Sequence, residues 1–427
     1  MRVMDTNRAG HLDPRANFDP AVVAPTYNNA GTLREVLDRL EALGLPLIIV
    51  NDGSTDATAA LLSDWKNQQR AVPVTILSHT HNRGKAAAMR SGFAGAKSAG
   101  HTHVVTIDTD GQLDPEDIPA LLCAARDAPD AVVLGTRRRD IPGCPRFSHL
   151  AWWLTALGIF LETGCRVLDS QCGLRAYPLR VLAFVRCRSR RYGFESEILT
   201  RSLWAGVPLA RVPVNCRYFP PSQRVSHLKP VRDGLRSFFM HFALTVRQVF
   251  PWPHARLQPP GPQEGEPEPQ SSSVADWWRS VEPLEIWRRL RTDHFEQLLV
   301  AAALGIGAFV SNMPLGRWQI ALAVYVAHRT HVHILPTVSA SLLCLTGVAP
   351  FLSKLAIGVG YLILHLSLPD MEALVPGHLP HWRRLASVPI AWPIGSVIVG
   401  FFCTWIVLPF FERLFRLIPV RKSPCES

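Results

Sequence analysis

Short apolar runs recur along the first third of the chain: AVVA at 21–24, LIIV at 47–50, VTIL at 74–77, VVTI at 104–107 and AVVL at 131–134. Each is continuous rather than alternating, the pattern of a strand in a parallel sheet with helices on both faces. Between the first two runs, Leu33, Val36, Leu37, Leu40 and Leu43 recur at helical spacing and form one apolar stripe. Thr32 followed by Glu35 fits a capping box at the start of that helix. Asp114, Pro115, Glu116 and Asp117 spell a second helix start: a cap, a proline in the first turn, then acids near the positive end of the dipole. The β-α-β-α-β order predicts a doubly wound, Rossmann-like, mostly parallel α/β sheet with its ligand at the carboxyl ends of the strands.

The pattern changes past residue 250. Residues 251–275 are rich in Pro, Gly, Glu and Ser and are expected to be a flexible linker. Four nearly uncharged apolar segments follow, at 298–310, 334–352, 355–366 and 388–411. The last is long enough to cross a bilayer by itself, for which about 20 residues suffice. The others are short or broken by Pro and Gly and read as hairpins or re-entrant pieces. Arg279, Arg288, Arg289 and Arg291 precede the first segment, and Arg413, Arg416, Arg421 and Lys422 follow the last. Positive residues stay inside, so both flanks are expected in the cytoplasm. The division is therefore a disordered N-terminus at 1–19, an α/β domain at 20–250, the linker, and an all-α transmembrane domain at 276–427. The first 20 residues hold no apolar segment of signal-peptide type, which puts the α/β domain on the cytoplasmic side.

Composition sharpens this picture. The 427 residues carry 45 Lys+Arg against 34 Asp+Glu, a formal net charge of +11, which favours anionic partners. With 48% apolar residues crowded toward the C-terminus, a membrane fits better than nucleic acid; zinc-finger spacing and aromatic-interleaved basic strands are missing. The 9 cysteines are scattered without a CxxC pair, which suits reduced thiols rather than a disulfide framework.

The fourth apolar run breaks into Asp108 and Asp110, one residue apart. Two neighbouring carboxylates repel unless a cation lies between them or one keeps a proton. A hard divalent ion with oxygen ligands that also binds substrate phosphate answers that need. An EF-hand is excluded because the position that should supply its last glutamate is Pro119. The plain alternative is a polar turn before the helix that Asp114 caps. The other strand ends favour a ligand site: VVAPTYNNAGTL, IIVNDGSTDAT and HNRGKAAAMRSGF place polar groups on the same rim. Asp52 can accept from a base, while Arg83 and Lys85 at a helix start can address phosphate.

The set APTYNNAGTL, VNDGSTDAT, NRGKAAAMRSGF and IDTDGQLDPEDI resembles the family 2 glycosyltransferases of the GT-A fold. DSQCGLRAYP, RYGFESEIL and VPVNCRYFP are similar to the dolichyl- or polyprenyl-phosphate hexose synthase branch. The resemblance spans roughly residues 20–245 and implies roles for particular positions. Pro25, Tyr27, Asn28, Asp52 and Arg83 would line the nucleotide pocket. Asp108, Asp110 and Gln112 would hold Mg²⁺ or Mn²⁺ at the donor diphosphate. Arg137, Arg146 and Ser148 would hold a lipid phosphate, and Arg175 would close around sugar and diphosphate. Arg224, with His227 and Lys229, would cover the donor, and Arg224 would also serve the acceptor phosphate; a solvated basic face is the alternative.

The implied reaction moves a hexose from a UDP- or GDP-sugar to a polyprenyl phosphate, with inversion, at the cytoplasmic face of a bacterial inner membrane. A phosphate acceptor is already ionised and needs no base. A sugar hydroxyl would need one, with Glu195 or Glu197 as candidates. Three other readings stay open. The D-x-D pair also occurs in phosphatases of the haloacid dehalogenase type. The chain could instead be a membrane scaffold with an inactive front domain. The helical pattern at 233–250, with Leu235, Phe238, Phe239, Phe242 and Val246, fits either core packing or a helix lying on anionic lipid. The back half resembles a small bacterial membrane domain of unknown function, whose His328, His331 and His333 are better read as helix-end residues than as metal ligands.

Overall fold

The structure is a computed structural model and describes residues 18–138, 146–219 apart from 168, 186, 190 and 192, 230–250, 294–311, 318–343 and 359. The chain forms two compact units, residues 1–260 and 261–427. The linker expected at 251–275, nearly all of the N-terminal stretch, and Arg224, His227 and Lys229 lie outside the described residues.

In the first unit, the five expected strands form as β1 (Pro20–Thr26), β2 (Leu47–Asn51), β3 (Val74–Ser78), β4 (His103–Thr106) and β5 (Val132–Arg137). Two more, β6 (Arg175–Pro178) and β7 (Leu209–Val214), complete a sheet of order β3-β2-β1-β4-β6-β5-β7. Among these strands only β6 is reversed: it runs antiparallel to β4 and β5, while the other pairs are parallel. The sheet is therefore mixed rather than a pure doubly wound one. At the edge, β3 is half-exposed instead of buried on both faces.

Side chains alternate across the strands. Val22, Ala24 and Ile49 join one core layer with α1 (Ala30–Glu41), α2 (Thr58–Asn67) and α4 (Ile118–Asp127) through Leu37, Trp65 and Leu121. Val23 and Val50 face the other layer with α3 (Lys85–Ser98), α5 (Arg146–Thr163) and α7 (Gly193–Trp204) through Met89, Ile159 and Phe194. A short α6 (Leu179–Phe184) follows β6, and α8 (Pro230–Val249) packs on α5 and α7.

Of the two expected caps one stands. The carboxylate of Asp114 accepts from Glu116 N at 3.0 Å, opening the 3₁₀ turn Pro115–Asp117. The capping box does not form, because α1 begins at Ala30 and Thr32 is already inside it; the Thr32 hydroxyl donates to Thr109 O at 2.8 Å.

The described part of the second unit is helical: α9 (His294–Ser311), α10 (Trp318–Arg329) and α11 (Ile334–Leu343). Packing of α9 on α11 is close enough that a Cβ on Gly307 would meet Thr337 O at 2.2 Å. No helix among the described residues is long and apolar enough to cross a membrane. The apolar segments at 355–366 and 388–411 lie outside the described residues, apart from residue 359.

Candidate active site

Because β1, β2, β3 and β4 are parallel, their carboxyl ends bring the loops after them to one rim. These loops bind one another. Asn28, at φ 52°, accepts Thr55 N on its side-chain oxygen at 2.8 Å, and its own N–H donates to Ser54 Oγ at 3.0 Å. Asn51 Oδ1 accepts Ser54 N at 3.0 Å. Thr109 Oγ1 donates to Pro25 O at 3.1 Å and accepts from Asn29 at 2.9 Å. Pro25, Tyr27 and Asn28 thus stand together on this rim, partly buried.

Asp52 is buried, and its carboxylate serves protein partners. It accepts Arg83 N at 2.9 Å and Gly84 N at 2.7 Å, and His79 Nδ1 lies 2.6 Å from it. His79 Nε2 is in turn 2.9 Å from Ser91 Oγ on α3. Three of the roughly four acceptor positions of a carboxylate are therefore used inside the chain. These bonds anchor the loop that starts α3. Arg83 contributes its backbone to this anchor, and the residue is exposed. Sequence reasoning passed over His79; its position directly past the third apolar run was the available signal.

The anchored loop sets the first residue of α3, Lys85. Its ammonium lies 2.7 Å from Asp108 Oδ1, 2.9 Å from Oδ2 and 2.5 Å from Glu195 Oε1. Burial alone would lower the lysine's pKa, but Asp108 and Glu195 outweigh it and hold the group charged, above the ordinary lysine range. Gly173 backs onto Asp108; a Cβ there would meet Oδ2 at 2.2 Å. Thr106 Oγ1 donates to Gly173 O at 2.8 Å, fixing this approach at the start of β6.

Asp110 turns the chain instead: its Oδ1 accepts Gln112 N at 3.0 Å, and Gly111 between them has φ 75°. Among the described residues no group of three or more His, Cys, Asp and Glu is gathered for a metal. Asp108, Asp110 and the Gln112 amide offer hard oxygen donors near one another in sequence. That set fits a Mg²⁺ or Mn²⁺ ion which takes its remaining ligands from substrate phosphates and water.

The two glutamates of RYGFESEIL separate, as residues two apart on a helix do. Glu195 pairs with Lys85, which also holds Asp108. Glu197 accepts Arg188 N at 2.9 Å, Ser189 N at 2.7 Å and Arg201 Nε at 2.7 Å. Burial pushes the Glu197 pKa up, and the donors of Ser189, Arg188 and Arg201 overcome this to hold it below the usual carboxylate range.

Two of the candidate arginines are held by protein partners. Arg175 is fully buried and donates to Cys172 O at 2.7 Å, Ser170 O at 2.5 Å, Glu195 O at 2.8 Å and Tyr177 OH at 3.2 Å. A guanidinium with three carbonyls and a phenol as partners ties the 170–172 turn to α7. Arg137 makes a bidentate pair with Asp169, Nε to Oδ2 at 2.8 Å and Nη2 to Oδ1 at 2.8 Å, and its guanidinium lies 4.8 Å from the Trp152 ring. Its side chain is thereby held at the end of β5. Arg146 and Ser148 belong to the first turn of α5, and Arg224 lies outside the described residues. In the second unit, His333, just before α11, has its Nε2 3.0 Å from Glu296 on α9, and His331 has φ 59°.

The sequence model of Glycosyl transferase family 2 matches residues 21–178. A relative from Micrococcus luteus, an undecaprenyl-phosphate mannosyltransferase, is 30% identical over 205 residues, which cover 45% of this chain and 81% of the relative. The chain belongs to glycosyl transferase family 2. An undecaprenyl-phosphate 4-deoxy-4-formamido-L-arabinose transferase from Pseudomonas fluorescens is 32% identical over 177 residues, 40% of this chain and 50% of that one. The chain thus spans about half the length of this second relative. Glucosyl-3-phosphoglycerate synthase from Mycobacterium tuberculosis, solved in complex with uridine diphosphate, aligns at TM-score 0.43 and 20% identity over 55% of this chain and 82% of that one. Residues 285–423 match a second family, described as Uncharacterized protein conserved in bacteria (DUF2062). Family membership also sets aside the phosphatase reading of Asp108 and Asp110.

Proposed function

We propose that this glycosyltransferase moves a hexose from a UDP- or GDP-linked donor to a polyprenyl phosphate, with inversion, at the cytoplasmic face of a bacterial inner membrane. The observation that carries the reading is the commitment of both candidate bases. Glu195 is ion-paired with Lys85, and Glu197 is filled by the 188–189 backbone and Arg201. A hydroxyl acceptor needs a carboxylate to take its proton, whereas a phosphate acceptor attacks as the anion it already is. The relatives named above, two transferases that act on undecaprenyl phosphate, support the same acceptor class.

In this reading the donor's nucleotide lies over the loops of Pro25, Tyr27 and Asn28, and its diphosphate reaches the Asp108–Asp110 rim. A Mg²⁺ or Mn²⁺ ion held by Asp108, Asp110 and Gln112 would supply positive charge against the departing diphosphate. Lys85 keeps Asp108 and Glu195 at fixed positions and offers the chain's own positive charge beside them. The bond from the anomeric carbon to the diphosphate oxygen breaks as a lipid-phosphate oxygen bonds to the opposite face of that carbon. Arg146, Ser148 and Arg224 remain the arginine and hydroxyl candidates for the acceptor phosphate.

The test is to incubate membranes containing the protein with radiolabelled UDP-glucose, GDP-mannose or UDP-N-acetylglucosamine and to extract lipid. One donor should label the lipid fraction. Asp110→Ala should lower that labelling by about 10²–10³-fold, the usual cost of removing an electrostatic stabiliser, with unfolding unchanged. Undiminished turnover by that variant would overturn the assignment.

A further inference from the structure

We propose that the outward face of α8 is a docking surface for an anionic lipid bilayer. The inward face is fixed by Leu244, Gln248 and Asp233, all buried, and by His241, whose Nδ1 lies 2.8 Å from Glu162 on α5. Glu162 itself is fully buried and accepts Thr200 Oγ1 from α7 at 2.7 Å. These contacts pin α8 against two helices and determine which side it turns to solvent. That side carries Leu235 at 53%, Phe239 at 63%, Phe242 at 41% and Val246 at 36% exposure. Their spacing of four, three and four residues makes one stripe along the helix.

Charge selects the occupant. Arg232 and Arg236 are exposed on α8, and Arg247 lies nearer its end. The helix sequence contains a single acid, Asp233, which is buried and paired with Arg236 at 3.2 Å. A stripe of leucine and phenylalanine bordered by arginines, with no exposed acid on the helix, is the pattern of a helix lying in the headgroup region of an anionic leaflet. The inference rests on α8 itself and holds whichever acceptor the enzyme uses.

The experiment uses the full chain in vesicles of phosphatidylcholine, with and without phosphatidylglycerol. A thiol is introduced by Phe239→Cys, and its alkylation by a membrane-impermeant maleimide is followed peptide by peptide. Native Cys123, exposed on α4, is the internal control for access. The thiol at position 239 should be protected relative to Cys123 in the anionic vesicles and reactive in the neutral ones. Adding Arg232→Gln and Arg236→Gln should shift the docked-to-undocked ratio by about thirtyfold, at roughly 1 kcal/mol for each arginine near an anionic surface. Equal reactivity of the two thiols in both vesicle types overturns the proposal. So does protection that ignores lipid charge, which would assign the stripe to a second copy or another part of the chain. Lipid labelling by the radiolabelled donors is scored separately, so failure of docking and failure of the proposed reaction are distinguishable.

Discussion

The ammonium of Lys85 bridges Asp108 and Glu195, with 2.5 Å to Glu195 Oε1 and 2.7 Å to Asp108 Oδ1, although the three residues lie on separate elements. One cation thus ties the start of α3 to the end of β4 and the start of α7. Its removal leaves two partly buried carboxylates facing each other. Lys85→Met should destabilise the fold by about 3 kcal/mol, as expected when one partner of a buried ion pair is removed. Adding Glu195→Gln should recover part of that loss, because one of the stranded charges goes with it. Urea unfolding of the two single variants and the double variant measures the coupling; strictly additive losses would count against the bridge.

Arg175 separates a clamp from a catalytic group. Its guanidinium donates to the carbonyls of Cys172, Ser170 and Glu195, so Arg175→Ala strands buried acceptors. A loss of about 3 kcal/mol or more is expected from hydrogen bonds to a charged donor. The decisive comparison is Arg175→Lys, read by thermal unfolding and by turnover of the folded fraction. The account predicts a lower Tm with near-normal turnover per folded molecule. A full Tm with turnover lost would return Arg175 to the chemistry.

Glu197 gives stability a dependence on acid. Its folded pKa lies below the ordinary glutamate value because three donors outweigh burial. Its contribution is therefore complete above about pH 4.5 and is lost as pH falls through the lowered folded value. Glu197→Gln should cost about 2 kcal/mol at pH 7, and the gap to the unsubstituted protein should narrow below pH 4.5. A gap that stays constant with pH would show that the carboxylate's charge is not what its donors hold.

Cys172 lies buried where Gly135 and β6 meet, and burial, aided by Asp169, pushes its thiol up to about 12. At pH 8 it should resist iodoacetamide while the exposed Cys123 is alkylated. Peptide mass spectrometry of the native protein reads both sites. Modification of Cys172 at the rate of Cys123 would mean the 169–175 segment opens readily.

Much of the fold was legible because five strands are continuous apolar runs. The strands β6 and β7 escaped for a physical reason: RAYP and LARVPV are short, with arginine and proline in them; RAYP is buried by its neighbours in the sheet, and LARVPV is a partly exposed edge strand. The mixed sheet follows from β6 and so escaped too. At the site, the carboxylates at the end of β4 stood out because two like charges one residue apart after a buried strand repel unless something offsets them. The partners of those charges were not. Nothing local in GLRAYP distinguishes an arginine that meets a phosphate from one saturated by carbonyls at 170, 172 and 195. Likewise, Glu195 and Glu197 are equivalent in sequence and differ only through the helix turn that sends one to Lys85 and the other to Arg201.

A phosphate acceptor arrives already ionised and an alcohol does not, so a competition between the two acceptors decides whether a base is at work. The purified protein in vesicles would be given the radiolabelled donor that labels lipid, with either undecaprenyl phosphate or undecaprenol as acceptor. The account predicts labelled product from the phosphate and essentially none from the alcohol. Comparable transfer to the alcohol, abolished by Glu195→Gln, would contradict it by making Glu195 a working base.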